Sequence, residues 1–198
     1  MNLHKVCGSE ISLDTIRQRL LENKAPGPSR SGNGYRPAAV LIPLVCSENK
    51  WHLLFTRRTD LVQSHKGQVS FPGGAVDKND RSREQTALRE VYEEIGVKAD
   101  EIEILGRLVD MPTVTGYMIT PVVGYMNWPL ELQLSHQEVS RAFIVPLDWL
   151  NHTVNRVETD LVVPEGRREN VVFFNPYDGE KIWGATARLT LNLLHTIF

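Results

Sequence analysis

The chain has 198 residues, with 22 basic against 24 acidic side chains for a formal net charge of -2, and 41% of its residues are hydrophobic. That composition is ordinary for a globular domain large enough to bury a core without metal or disulfide staples, and it excludes a chain dominated by disorder. The near-balance of charge argues against a nucleic-acid binder that relies on a globally basic surface.

Cys7 and Cys46 show neither zinc-site spacing nor a disulfide framework, and they fit a reducing compartment. The opening MNLHKVCGSEISLD lacks the apolar core of a signal peptide, and the longest apolar runs, such as Ala38–Val45, are too short to span a bilayer. The expectation is a soluble cytoplasmic protein with no membrane partner and no nucleic-acid partner.

In chain order, Ser12 is placed to cap a short helix with Leu13, Ile16, Leu20 and Leu21 on its packing face. A Pro-, Gly- and Ser-rich stretch from Ala25 to Pro37 reads as a linker or surface loop. Residues 1–35 therefore read as a helix-and-loop extension and 36–198 as the body. The body begins with strands at Ala38–Cys46 and Trp51–Thr56, joined by a hairpin turn at Ser47–Lys50. A long loop, Arg57–Pro72, leads through Gly73 and Gly74 to a helix over Ser82–Ile95. Ser82 and Gln85 have capping-box spacing, Ala87, Leu88, Val91 and Ile95 form the buried stripe, and Gly96 is the expected C-terminal cap. Further strands are expected at Ile102–Val109, Met118–Met126, Phe143–Val145, Val154–Val163 and Asn170–Phe174. After a turn at Asn175–Gly179 come a short strand, Lys181–Trp183, and an apolar helix, Ala185–Ile197. The class is α+β, with helices flanking a sheet.

The chemistry concentrates in the segment Gly73–Val97. At about 100° per residue, Glu90, Glu93 and Glu94 share one helix face while the apolar stripe lies largely on another. Like charges at this spacing repel, and a hard divalent cation such as Mg²⁺, which accepts carboxylate oxygens, removes that cost. A solvated acidic face is the plainer alternative.

The run Arg89-Glu90-Val91-Tyr92-Glu93-Glu94-Ile95-Gly96-Val97 resembles the R-E-U-x-E-E-x-G-U half of the Nudix box, where U is aliphatic, at nine consecutive positions. The resemblance implies the Nudix fold, a mixed β-sheet sandwiched between helices (α/β/α). It implies hydrolysis of a nucleoside diphosphate linked to another group with Mg²⁺ or Mn²⁺, with Glu90, Glu93 and Glu94 as metal ligands and Arg89 and Glu93 in the catalytic set. In the first half of the box, Arg81 stands where the family pattern has Glu, and the resemblance offers Asp80 as the partner of Arg89.

The preceding segment, Leu53–Gly74, is similar to the extra signature of the bacterial coenzyme A pyrophosphatase branch, through Arg58, Thr59, Gly67, Phe71, Pro72, Gly73 and Gly74; Gln63 stands where that branch has Arg. Independently of the family, Arg57, Arg58, His65 and Lys66 cluster beside a glycine turn, and arginine and lysine clamp phosphates. Arg58, His65, Lys66, Gly67, Phe71, Gly73 and Gly74 are thus the candidate substrate-binding residues. Val114–Tyr117, Thr120–Gly124 and Trp183–Gly184 extend the resemblance over roughly Arg36–Thr186. Tyr117 and Trp183 read as packing residues or as a lining for the substrate.

Several Nudix enzymes take a further acid from outside the box; Glu138 is the candidate here, with a helix-start carboxylate as the alternative. The general base is left between Glu93 and Glu138. The implied reaction is hydrolysis of coenzyme A or a derivative to 3′,5′-ADP and (acyl-)4′-phosphopantetheine. Hydrolysis of ADP-ribose or a nucleoside triphosphate, and a ligand-binding module of weak activity, are the alternatives. A coenzyme A-like nucleotide is the expected partner. The sequence is compatible with a homodimer and leaves the oligomeric state open.

Overall fold

The computed structural model describes residues 7–8, 11–23, 34–61, 65–162 and 168–198. Gln63, Val163 and residues 25–33 of the Pro- and Gly-rich stretch lie outside the described residues. The elements are α1 (Leu13–Glu22), β1 (Arg36–Ser47), β2 (Lys50–Arg58), β3 (Val69–Ser70), β4 (Gly73–Ala75) and α2 (Arg83–Ile95). They continue with β5 (Ile102–Arg107), β6 (Met111–Pro112), β7 (Tyr117–Met126), β8 (Val139–Pro146), α3 (Leu147–Asn151), β9 (Arg156–Val162), β10 (Arg168–Phe174) and α4 (Gly184–Ile197).

Strands β1–β8 form one mixed sheet around the path β3-β2-β1-β7-β5. β1 and β7 run parallel at its centre, from Arg36 opposite Tyr117 to Val45 opposite Met126, and the β1–β2 hairpin is antiparallel. The hairpin turn is tight because Glu48 and Asn49 both adopt positive φ, 50° and 64°, which matches the twist of the flanking strands. β9 and β10 form a separate antiparallel ribbon.

Helices cover both faces of the sheet, as an α+β architecture requires. On one face α2 buries Ala87, Val91 and Ile95 against Ala39, Leu41, Val45 and Leu54. On the other, α1, α3 and α4 contribute Ile16, Leu20, Leu147, Leu150, Leu193 and Ile197 to a cluster with Ile42, Leu44, Leu53 and Phe55. The alternation along β2, Leu53 and Phe55 to one side and Leu54 to the other, is the two-residue period of a strand buried on both faces.

Several boundaries differ from expectation. Leu21 is 66% exposed, because Ile16 and Leu20, one turn apart, define the buried stripe of α1 and the next residue is rotated away from it. The expected strand ending at Val109 stops at Arg107 and Val109 is exposed. Lys181–Trp183 is reduced to a single bridge between Trp183 and Phe173. The long loop after β2 contains β3 and leads directly into β4, both too short to show a period. Val154 belongs to a single 3-10 turn that precedes β9.

The cysteines also differ from expectation: Cys7 and Cys46 form a disulfide, with Cα atoms 5.8 Å apart. The bond ties the segment before α1 to the end of β1, a proximity that a separation of 39 residues does not reveal in sequence. Closing a loop of that length removes unfolded-state entropy. Reduction, or Cys7→Ser, is therefore expected to lower stability by about 3 kcal/mol, read as a shift in the urea midpoint with and without reductant.

Candidate active site

The site is built on α2. Ser82 caps it by accepting from the Gln85 amide at 3.1 Å, while the Gln85 side chain reaches back to the Arg81 amide at 2.9 Å, one residue short of a reciprocal capping box. At the other end Gly96 adopts φ 76°, and its amide donates to the Tyr92 carbonyl at 3.0 Å. Two further carbonyls at this end are met by a loop: Gln133 donates to Ile95 and Ser135 to Glu94, at 3.0 and 2.9 Å. Leu130, Leu132 and Leu134 anchor that loop on the α2 side of the core. It then delivers Glu138, whose carbonyl accepts from the Thr59 amide at 2.9 Å. Glu138 lies in a turn before β8 and starts no helix.

Arg89 organises the acids. Its Nε and Nη2 donate to the two oxygens of Asp80 at 3.2 and 3.0 Å, and Nη2 also donates to the Ala75 carbonyl at 3.1 Å. Its Nη1 donates to Glu90 at 2.8 Å and to Glu93 at 2.9 Å. The bidentate hydrogen bond from Arg89 holds Asp80 at a pKa of about 2, and the same bond raises that of Arg89. The Asp80 side chain is 3% exposed, so this pair is part of the framework.

Glu94 is the buried acid. It is 2% exposed, and burial raises its pKa to about 8. Its Oε1 accepts weakly from the Gly73 amide at 3.4 Å, and its Oε2 is buried with no hydrogen-bond partner. Burial also raises the pKa of Glu90, and the charge of Glu138 acts on both Glu90 and Glu94. Arg58 opposes this through its positive charge on Glu94. Glu90, Glu94, Glu138 and Arg58, from α2, the loop before β8 and β2, are thus near enough for their charges to act on one another.

Gly73 and Gly74 make this approach possible. A Cβ on Gly73 would lie 2.5 Å from the Ala39 carbonyl oxygen, where β4 pairs with β1, and a Cβ on Gly74 would lie 2.4 Å from Glu90 Oε1. Both glycines sit beneath the acids because no side chain fits there.

A NUDIX domain model matches residues 35–176, which include this whole constellation. The chain belongs to the Nudix hydrolase family. It is 36% identical to a protein of Photorhabdus laumondii described as an uncharacterized Nudix hydrolase, NudL, over 94% of this chain and 98% of that protein. A NudL of Pectobacterium atrosepticum is likewise 36% identical, over 83% of this chain and 84% of its own length. The fold is shared with a Nudix hydrolase from M. smegmatis, RenU, at a TM-score of 0.50 and 22% identity over 58% of this chain and 73% of that one. The protein is a Nudix hydrolase, a pyrophosphatase-type enzyme acting on nucleoside diphosphate derivatives. Among the described residues no helix is long and apolar enough to cross a membrane.

Within the Nudix box, the partner of Arg89 is Asp80, so the pairing shifts by one residue from the position occupied by Arg81. Nudix hydrolases generally use divalent metal ions. Among the described residues no three Asp, Glu, His or Cys side chains are already arranged to hold one. Glu90 and Glu93 are turned onto Arg89, and Glu94 points inward. The donor set nevertheless fits a hard cation. Glu94 is a buried carboxylate with an orphaned oxygen, pressed by the charges of Glu90 and Glu138, and among the described residues no ion pair reaches it.

The basic loop divides in two. Arg58 acts on Glu94 through its charge, whereas His65 and Lys66 are exposed, and His65 Nδ1 shares a hydrogen bond of 2.8 Å with Gln68 Oε1. Gly67 adopts φ 64° in that turn. Phe71, expected at the substrate, is 3% exposed and stacked on Phe55 with ring centres 4.7 Å apart; its apolar ring is taken up by the core, and it anchors the loop. Trp183 is stacked parallel to Phe173, and Tyr117 lies beneath the Arg36 guanidinium. The acid-delivering loop carries one signal in sequence, the alternation Leu130, Leu132, Leu134.

Two predictions follow from this geometry. Gly74→Ala displaces the Glu90 carboxylate and is expected to lower kcat by about 10²-fold, with the far-ultraviolet spectrum unchanged. Asp80 has its pKa lowered from 3.8 to about 2, so its contribution is fully present above the higher value and is lost as pH falls through the lower. Asp80→Asn is expected to cost about 2 kcal/mol at neutral pH and nothing below about pH 2, measured as urea-unfolding free energies across pH.

Proposed function

We propose that this Nudix hydrolase cleaves the diphosphate of coenzyme A or its derivatives to 3′,5′-ADP and (acyl-)4′-phosphopantetheine, with Mg²⁺ or Mn²⁺ held by Glu90, Glu93 and Glu94. What supports the reading is that the positive charge of Arg58, at the start of the basic loop, acts on the buried acid Glu94. On this reading the acidic helix and the basic loop, separate in sequence, serve one substrate.

When bound, the metal neutralises phosphate charge and acidifies water. Arg89, anchored by Asp80, holds Glu90 and Glu93 in register along the helix. Arg58 and the exposed Lys66 give the loop two cations for a substrate with more than two phosphates, the feature that separates coenzyme A from ADP-ribose. Glu93 or Glu138 accepts the proton of the attacking water. Glu93 is 51% exposed at the rim of the acids, while the charge of Glu138 acts on Glu90 and Glu94. No side chain needs to form a covalent bond to substrate, since water is the nucleophile.

The test is hydrolysis of a panel of coenzyme A, acyl-coenzyme A, ADP-ribose and nucleoside triphosphates with Mg²⁺ or Mn²⁺, with products separated by chromatography. Coenzyme A should yield 3′,5′-ADP, and Glu93→Gln should reduce the rate by about 10²-fold or more. Arg58→Ala and Lys66→Ala should damage turnover of coenzyme A far more than that of ADP-ribose. Equal losses, or turnover of ADP-ribose alone, would overturn the coenzyme A assignment.

A further inference from the structure

Arg57 and Arg141 are direct cross-strand partners on β2 and β8. Two like charges so placed destabilise a sheet unless a counter-charge intervenes. Glu180, in the turn before α4, supplies it. Its side chain is 6% exposed, and its Oε1 accepts from Arg57 Nη1 at 3.4 Å and from Arg141 Nη1 at 3.1 Å. Arg141 is fixed further: it donates to the Asp178 carbonyl at 3.1 Å, pairs with the Asp178 carboxylate, and lies 5.3 Å over the Phe143 ring.

Arg57 is held less completely. Its hydrogen bond to Glu180 is at the long limit, and its side chain is 44% exposed. Its Nη2 and Nε stand 3.7 and 4.0 Å from the point that a Cβ on Gly67 would occupy. The Lys66–Gly67 turn thus stands close to that edge of Arg57, and it is the 44% exposure of the side chain that leaves it reachable. Asp60 Oδ1 lies 3.4 Å from the same point, and no ion pair joins it to Arg57 among the described residues.

The two arginines at the end of β2 serve opposite sides of the sheet. Arg58 acts on Glu94 on the α2 side, and Arg57 meets Glu180 beside α4. A ligand that reaches both must bend around the end of β2 and carry two anionic groups. A guanidinium oriented by a buried carboxylate presents its planar fork to a phosphate with little further ordering.

We propose that Arg57, held by the positioning residue Glu180 and braced by Arg141, is a specificity-determining residue that binds a phosphomonoester of the substrate separate from the diphosphate being cleaved. This rests on the coenzyme A reading above and identifies where a ribose phosphate of such a substrate is recognised.

The test is binding of 3′,5′-ADP and of 5′-AMP to the whole, metal-free protein by calorimetry. The wild type should bind 3′,5′-ADP about tenfold more tightly. Arg57→Gln, at a half-exposed position, should bring the ratio of the two dissociation constants to about one. Glu180→Gln should move the same ratio toward one, and a Glu180 that only stabilised the fold would leave that ratio intact. Equal affinities in the wild type, no measurable binding of 3′,5′-ADP, or a ratio untouched by Arg57→Gln would overturn the proposal. If coenzyme A is not hydrolysed but the ratio responds as expected, the substrate assignment fails and this site stands. If coenzyme A is hydrolysed and the ratio does not respond, only this site fails.

Discussion

The guanidinium of Arg89 joins three elements that the chain must bring together before any chemistry is possible. Through Asp80 it holds the segment before α2, through the Ala75 carbonyl it holds the end of β4, and through Glu90 and Glu93 it holds the acidic face of its own helix. A lone arginine at this depth would be costly, and a row of unpaired glutamates would repel. Paired, each group lowers the cost of the other. Gly74 permits the closeness, since its missing side chain is the space that Glu90 occupies.

From that junction the polarity of the site is set by burial. Glu93 remains in solvent, Glu90 is partly covered and Glu94 is enclosed, although the three lie within one and a half turns of the same helix. The buried end of the gradient lies at the C-terminal end of α2, where the loop carrying Leu130, Leu132 and Leu134 packs on the same side of the core. The same loop supplies hydrogen bonds to the last carbonyls of α2 and brings in Glu138. One packing event therefore caps the helix and adds a fourth carboxylate. On the far side of β2, Glu180 performs a comparable service for Arg57 and Arg141, accepting from two guanidiniums at once.

Much of this was legible from local pattern. The stripe Ala87, Val91, Ile95, the cap Ser82 and the stop Gly96 located α2 to within a residue, because periodicity and capping are properties of neighbours in sequence. The acids followed from the helix period alone. β3, β4 and β6 were not legible, since strands of two or three residues carry no period and exist only because β1, β2 and β7 offer them hydrogen bonds. Phe71 looked like part of a binding signature and turned out to be core, because motif membership does not say which face of a strand a ring will take.

The sequence by itself determined the family, the two-faced sheet and the presence of a clustered acidic helix after a basic loop, all encoded in spacing along a few tens of residues. Only the tertiary structure decided which acid is buried, that Asp80 takes Arg89, that Cys7 meets Cys46, and that Glu180 stands between two arginines. Those contacts join positions from 9 to 123 residues apart, and their energies depend on burial and on the sum of neighbouring charges. Neither quantity exists until the sheet, the helices and the loop before β8 have closed on one another.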